Sequence, residues 1–379
     1  MIPDSWLADR TRQIELSGIR KVFELGKTLK NPVNLSIGQP HFDVPEPIKA
    51  AAKAAIDAGH NGYTLTQGVP ELRNRLGADV HTRFPHLDPG SRDVMVTSGT
   101  SGGLLLALLA TVNPGDEVIT PDPYFVAYPH MITLAGGRMV TVDTYPDFRL
   151  DPGKVAAAIT PLTKVILLST PSNPTGAVID PAALEAIAAL ARQRGLLLVS
   201  DEIYRAFHYD APAASPAAYD GNVLVLEGFG KTYGMTGWRL GWAHGPKQLI
   251  AEMAKLQQFT YVCPPSVVQY AGAAALDFDV SGIVADYRQK RDFLAEGLRG
   301  RYRFATPGGA FYLFPEAPWG TATEFVREAI KNELLMIPGN VFSHRDTHFR
   351  VSYAATDETL RRGIEILRRL ADTGPRPAE

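Results

Sequence analysis

Seven short runs rich in β-branched and aliphatic residues, separated by helical stretches, constrain the fold of this chain more than any other feature. From about residue 93 onward the runs read DVMVTSG, DEVITPDP, RMVTVDT, KVILLSTP, LLLVSDEIY, NVLVLEGFG and RLGWAHG. Several are apolar on both faces, which is typical of strands in a parallel sheet covered by helices on each side. The pattern predicts an α/β fold whose large domain has a mostly parallel seven-stranded sheet between helices.

The pattern changes after about residue 276, where a charged helix, a strand-like run (RYRFATPGGAFYLFPEA) and a last amphipathic helix follow. We therefore expect the large domain to span residues 46–275 and a smaller α+β domain to span residues 276–379. Residues 1–45 contain prolines and lack strand spacing, so we expect them to form an N-terminal arm and part of the small domain.

Composition excludes several classes of function for this chain. The formal net charge of 379 residues is only -2 and the charges are spread along the chain, which argues against nucleic acid or an anionic membrane as a partner. Cys263 is the only cysteine, so an intrachain disulfide and a cysteine zinc cluster are excluded, and no metal site is predicted. No apolar run has the length of a signal peptide or a membrane span. We expect a cytoplasmic protein that acts on small molecules.

Residues suited to ligand binding follow several of the predicted strands, at the edge where open sheets of this kind bind ligands. The first strand runs into Gly99, Thr100 and Ser101 at the start of an apolar helix, which indicates an anion cradle or a simple helix cap. Phe125 follows the second strand on a proline-set turn, where it could cover a flat ring or pack in the core. Asn173, in the loop STPSNPTG, offers a rigidly held amide or only shapes the turn.

The later strands end in charged residues. Asp201 and Glu202 follow an apolar run, and a carboxylate so placed is costly unless a positive group meets it. We expect Glu202 to cap a helix and Asp201, with Tyr204 one turn later, to bind a ligand. Lys231 lies in the glycine-rich stretch LEGFGKTYGMTGWRLGW, and Arg239 follows eight residues later.

Together these groups describe one ligand. The cradle and an arginine suit a phosphate, an aromatic side chain suits a flat ring, a carboxylate suits a cationic ring nitrogen, and a lysine suits an aldehyde. Pyridoxal phosphate has all of these features. Lysine forms a Schiff base with carbonyl compounds, and pyridoxal then accepts electrons from the α-carbon of the substrate.

The motifs also match a known family. The sequence resembles the class I/II (fold type I) pyridoxal-phosphate-dependent aminotransferases of the aspartate aminotransferase superfamily. The resemblance covers nearly the whole chain, in family order, through the motifs SGIRKVFELG, NLSIGQPHFDVP, YTLTQGVPELR, SGTSGG, PDPYFVAYP, SNPTG, SDEIYRAFHY, GFGKTYGMTGWRLGW and FRVSYA.

The resemblance implies a role for each matching residue. Lys231 would form the internal aldimine and move the proton between the α-carbon and the cofactor, and Asp201 would pair with the pyridinium nitrogen. Tyr204 and Asn173 would hold the 3′ oxygen. The other implied cofactor contacts are Gly99, Thr100, Ser101, Phe125, Arg239 and, from the neighbouring subunit of a homodimer with shared active sites, Tyr63.

The resemblance also bears on the substrates. Gly38 and Arg350 would bind the α-carboxylate. Gly228 and Gly230 stand where many members have serines, so this loop lacks hydroxyl contacts to the phosphate. Ser101 stands where some bacterial aspartate aminotransferases have a lysine for the distal carboxylate. We therefore expect transfer from a neutral or hydrophobic L-amino acid to a 2-oxo acid such as 2-oxoglutarate.

Three other functions remain open at this stage. A cysteine-S-conjugate β-lyase or an amino acid decarboxylase of the same fold would use the same lysine and aspartate, because the bond that breaks depends on which α-substituent stands perpendicular to the ring. A non-catalytic pyridoxal-binding regulator would need a DNA-binding domain, and only a short segment precedes NLSIGQP.

Overall fold

The computed structural model describes residues 4–16, Gly18, Gly26 and residues 29–374. In chain order the helices α1 to α13 are Asp9–Arg12, Glu46–Asp57, Pro70–Arg83, Gly99–Thr111, Tyr128–Leu134, Pro152–Ala158, Pro181–Arg194, Phe229–Thr232, Lys247–Thr260, Ser266–Ala275, Ser281–Leu298, Ala322–Lys331 and Asp357–Thr373. The strands β1 to β12 are Val33–Asn34, Arg92–Ser98, Glu117–Asp122, Arg138–Asp143, Thr163–Ser169, Leu197–Asp201, Val223–Gly228, Leu240–Pro246, Tyr312–Leu313, Leu334–Leu335, Ile337–Pro338 and Phe349–Ser352.

The seven predicted runs all form strands of one sheet, in the order β2-β8-β7-β6-β5-β3-β4. Its ladders are parallel except on both sides of β8, which runs antiparallel to β2 and β7. The predicted α/β fold with a mostly parallel seven-stranded sheet is confirmed.

Neighbouring residues of these strands enter different hydrophobic cores. In β5, Ile166 and Leu168 belong to one cluster, while Val165 and Leu167 belong to another. Because side chains alternate across a strand, the two clusters lie on opposite faces of the sheet. This two-sided burial explains why the runs are apolar throughout rather than alternating.

Smaller sheets follow the large one. Strands β11, β12 and β9 form a three-stranded antiparallel sheet, and β1 pairs in parallel with β10. The strand-like run RYRFATPGGAFYLFPEA is a strand only at Tyr312–Leu313. The N-terminal segment from Val33 thus packs with C-terminal residues, whereas the boundaries of the predicted domains stay a prediction.

Parts of the predicted N-terminal arm, residues 1–3, 17, 19–25 and 27–28, lie outside the described residues, as does most of the motif SGIRKVFELG. Within the part of the chain that the structure describes, no helix is long and apolar enough to cross a membrane.

Candidate active site

A cavity of about 280 Å³ opens at the carboxyl edge of the large sheet. The parallel strands β2, β5, β6 and β7 all end there, and each delivers residues to the cavity wall. The wall includes eleven residues that the sequence analysis singled out: Gly38, Gly99, Thr100, Ser101, Phe125, Asn173, Asp201, Tyr204, Lys231, Arg239 and Arg350. Tyr63 is not among the wall residues, and 88% of its surface is exposed.

Lys231 lies in the short helix that follows β7 directly. Its ammonium group donates a hydrogen bond to the backbone oxygen of Gly38. Burial, followed by repulsion from Arg350 and Arg239, lowers the pKa of Lys231 to about 8. About a tenth of this amine is therefore an uncharged nucleophile at pH 7.

Asp201 is the last residue of β6 and is buried. The hydroxyl of Tyr128 donates to its Oδ2 at 2.9 Å, and the backbone N–H of Ile203 donates to its Oδ1 at 3.3 Å. Burial nevertheless raises the pKa of Asp201 to about 6. A carboxylate in this environment gains from a cationic partner within the cavity.

Arg350, on β12, is a fully buried cation in the wall of the cavity. Its guanidinium donates to Asn173 Oδ1 at 2.9 Å and to the backbone oxygen of Ser36 at 2.7 Å, and its Nε has no partner. Burial lowers its pKa. Among the described residues no carboxylate pairs with it, so the site favours an incoming anion.

A second part of the cavity wall, at Gly99 and Arg239, also favours an anion. The helix Gly99–Thr111 begins there, and the side chain of Ser98 makes no capping hydrogen bond to it. Gly99 has a left-handed φ of 68°, and a Cβ at this position would lie 2.7 Å from Nη2 of Arg239. Free backbone N–H groups and a guanidinium therefore face the same point, as a phosphate requires.

Arg239 itself has a positive φ of 55°, which is uncommon for a residue with a side chain. Its Nη1 donates to the backbone oxygen of Thr236 at 3.0 Å, which holds the guanidinium near Gly99. Backbone strain of this kind is retained where the surrounding structure fixes a functional side chain.

One prediction about this edge is wrong. Glu202 does not cap a helix, because a turn rather than a helix follows β6. Its side chain is buried and accepts a hydrogen bond from Ser215, and burial together with repulsion from Glu227 raises its pKa to about 7.

Two tyrosines of the cavity wall were missed from the sequence. Tyr128, which donates to Asp201, lies one turn after Phe125 in the motif PDPYFVAYP, and this spacing was a usable signal. Tyr312 comes from the small sheet, more than 100 residues from Tyr204, and contacts that residue by a hydroxyl hydrogen bond. Nothing local in the sequence indicates this contact.

Comparisons with known proteins agree with the geometry. The model of the family described as aminotransferase class I and II matches residues 30–367. The chain is 34% identical to a probable aspartate aminotransferase of Methanocaldococcus jannaschii, covering 96% of this chain and 99% of the relative. It is also 34% identical to aromatic-amino-acid aminotransferase 2 of Thermococcus litoralis, covering 96% and 98%.

A solved structure shows the same fold. The structure of aspartate aminotransferase from Thermus thermophilus with maleate superposes with a TM-score of 0.91 at 35% identity, covering 96% of this chain and 99% of the other.

Proposed function

The chain belongs to the class I and II aminotransferases, and from this premise we propose which residues hold the cofactor and which amino acids are used. The protein is a pyridoxal-phosphate-dependent aminotransferase. Its cytoplasmic location stays a prediction from composition. The assignment of roles rests on one observation. Lys231 has a lowered pKa and lies in a cavity that also contains the buried carboxylate of Asp201 and the anion cradle at Gly99.

The residues present fit pyridoxal phosphate. Bound there, the cofactor supplies an aldehyde and a ring that accepts electrons from the substrate α-carbon. Lys231 would hold the aldehyde through its amine and, when that amine is free, would act as the base toward the substrate α-proton. The N–H groups of the uncapped helix at Gly99 and of the Arg239 guanidinium would bind the phosphate by donating hydrogen bonds to it.

Four further side chains would orient the ring. Asp201 would hold the ring nitrogen, whose positive charge would stabilise the ionised carboxylate that burial disfavours. Tyr204 and Asn173 would donate to the 3′ oxygen, and Phe125 would cover a face of the ring. Asn173 has both amide hydrogens available for this contact, because Arg350 uses its Oδ1.

Arg350 binds the α-carboxylate of the amino acid. The support is its buried charge, whose described hydrogen-bond partners are neutral oxygens. A carboxylate would supply the missing acceptor and compensate the charge. The backbone of Gly38, which already accepts from Lys231, lies beside the same part of the cavity.

We propose that the amino donor is neutral or hydrophobic. The cations among the described wall residues are Lys231, Arg239 and Arg350. Their proposed partners are the aldehyde, the phosphate and the α-carboxylate, so none of them is left for a distal carboxylate. Ser101 also lines the cavity and cannot pair with a distal carboxylate. The acceptor proposed from the family resemblance is 2-oxoglutarate.

We also propose a homodimer in which Tyr63 completes the neighbour's active site. Tyr63 belongs to an exposed apolar patch with Leu65 and Phe259, whose exposed fractions are 88%, 58% and 82%. A hydrogen bond from Gln257 Nε2 to the backbone oxygen of Thr66 joins the two segments of the patch, because Gln257 lies in the same helix as Phe259. Side chains of this kind are typical of a protein interface.

Borohydride reduction followed by peptide mapping tests the covalent anchor. The cofactor is expected on the peptide that contains Lys231, and Lys231→Ala should abolish both the label and transamination. Lys255→Ala, which changes a lysine on the exposed side of a helix, should leave the labelling unchanged. Label on another lysine would overturn the assignment.

A panel of amino donors tests the substrate proposal. Conversion of the cofactor to its amine form is expected with neutral and hydrophobic amino acids, and 2-oxoglutarate should reverse it. A strong preference for aspartate would refute the argument from Ser101. Release of pyruvate and ammonia without an acceptor would show lyase chemistry instead.

A further inference from the structure

Tyr312 contacts Tyr204, proposed to hold the cofactor, and Arg350, proposed to bind the substrate, but has no role of its own in the proposed function. Its side chain is buried, and its hydroxyl lies 2.7 Å from the hydroxyl of Tyr204. The centre of its ring lies 4.6 Å from Cζ of Arg350. Its hydroxyl also occupies the space that a Cβ on Gly38 would need, so glycine at 38 and tyrosine at 312 fit each other.

The number of hydrogens on the two hydroxyls determines which tyrosine donates the hydrogen bond between them. A phenol has a single hydrogen to donate. If Tyr204 gives its hydrogen to the cofactor's 3′ oxygen, then Tyr312 must be the donor in the bond between the two hydroxyls. A donor that receives a hydrogen bond itself becomes a stronger donor, particularly in a buried site.

The ring of Tyr312 acts on Arg350 in a different way. The guanidinium lies close to two rings, those of Tyr312 at 4.6 Å and Phe342 at 4.8 Å. A cation above an aromatic ring is stabilised by the electrons of the ring face, and the effect is larger when the pair is desolvated. The ring thus helps to hold a charged side chain that lacks a carboxylate partner among the described residues.

We propose that Tyr312 is a positioning residue with two separable tasks: its hydroxyl supports Tyr204 at the cofactor oxygen, and its ring orients Arg350 for the substrate carboxylate. The inference rests on the proposed function, because it takes the roles of Tyr204 and Arg350 from there.

The variant Tyr312→Phe isolates the hydroxyl, because it keeps the ring. A donor to the 3′ oxygen matters most when the nitrogen joined to Lys231 has lost its proton, since that oxygen then has no donor within the cofactor. We therefore expect the pH titration of the visible absorbance of the loaded protein to move upward by roughly half a unit to one unit. The KM for the amino donor should change by less than about twofold, because the ring contact with Arg350 remains.

The variant Tyr312→Leu removes the ring as well. We expect the same upward titration shift and, in addition, a rise of about fivefold or more in the KM for the amino donor. The two variants thus separate the hydroxyl from the ring, a distinction that a merely structural role would not produce. Thermal unfolding of each variant identifies any general loss of folding.

Tyr302→Phe is the matched control. It deletes another buried hydroxyl, which donates to the backbone oxygen of Leu367 at 2.8 Å away from the cavity wall. It should shift neither the absorbance titration nor the KM.

An unchanged titration in folded Tyr312→Phe would overturn the task of the hydroxyl, and an unchanged KM in folded Tyr312→Leu would overturn that of the ring. Failure of the proposed function is distinguishable, because the unmodified protein would then carry no label on Lys231 after borohydride reduction.

Discussion

At the scale of single residues, burial prepares two groups of opposite charge for the same cofactor. Desolvation is the first cause of both pKa shifts, downward for Lys231 and upward for Asp201. Burial always disfavours the charged form, so it frees the amine for attack and leaves the carboxylate in need of a cation. In the proposed roles, the same cavity therefore makes Lys231 a nucleophile and makes Asp201 favour a cationic ring nitrogen.

The lowered pKa of Lys231 makes capture of the cofactor depend on pH near neutrality. The uncharged amine is the nucleophile, so the rate at which cofactor-free protein captures pyridoxal phosphate should rise with pH and level off above a midpoint near 8. At pH 7.5 about a quarter of the lysine is uncharged. Stopped-flow absorbance from pH 6 to 10 measures this rate, with Nα-acetyl-lysine as the unshifted control. A midpoint close to 10.5, the ordinary value for lysine, would contradict the prediction.

Tyr128→Phe should weaken cofactor binding. The hydroxyl of Tyr128 stabilises ionised Asp201, so its loss moves the pKa of Asp201 further above its usual range. The cofactor must then supply more free energy to ionise the carboxyl, and we expect a Kd about fivefold higher, equivalent to one hydrogen bond. Fluorescence titration of cofactor-free protein measures the Kd, and Tyr302→Phe again serves as the control. An unchanged Kd would mean that the carboxylate needs no donor from Tyr128.

At the scale of elements, the large sheet was predictable because each strand signals itself. The run KVILLSTP, for example, is apolar on both faces and becomes the buried strand β5. The polar residues at the ends of these strands meet at one edge of the sheet, because parallel strands share a direction. The short strands β9 to β11 carry no such signal, since two residues show no period, and Tyr312 reaches the cavity only through tertiary packing.

The turn after β6 also shows what could not be predicted from the sequence. Asp201 is the last residue of an apolar strand and Glu202 comes directly after it, yet their environments differ. Asp201 faces the cavity, whereas Glu202 turns away toward Ser215. Two adjacent residues leave a strand end in different directions, and composition cannot tell which of them faces the ligand.

The short helix Phe229–Thr232 offers room for a missing phosphate contact. A Cβ on Gly230 would approach no atom closer than 3.5 Å, and Gly230 lines the cavity. Gly230→Ser should therefore be tolerated and should lower the Kd for pyridoxal phosphate about tenfold, as one hydrogen bond to a charged group would. Gly230→Ala, which adds the Cβ without the hydroxyl, is the control for the titration. Equal Kd values for the two variants would mean that the hydroxyl does not reach the phosphate.

At the scale of the whole molecule, the exposed patch around Tyr63 borders the phosphate end of the cavity. Tyr261, near Phe259 of the patch, packs against the first turn of the helix that begins at Gly99, where a Cβ on Gly102 would lie 2.9 Å from its hydroxyl. A second copy of the chain docked on this surface could extend its own Tyr63 into the cavity. The single chain would then contain an incomplete phosphate site, and catalysis would require the dimer.

Mixed dimers test whether Tyr63 acts on the neighbouring chain. Lys231→Ala should inactivate its own site, and Tyr63→Ala should weaken cofactor binding in the partner's site. When both variants are co-expressed and the hybrid is purified through two different tags, one of its two sites combines an intact Lys231 with an intact Tyr63. At limiting cofactor the hybrid should therefore show about half the activity of the unmodified dimer, because the hybrid has one complete site and the unmodified symmetric dimer has two. If Tyr63 served its own chain instead, one site of the hybrid would have Lys231 but no Tyr63. The other site would have Tyr63 but no Lys231. Its activity would then stay at half that of the Tyr63→Ala dimer, a result that would contradict the shared site even if the protein were a dimer.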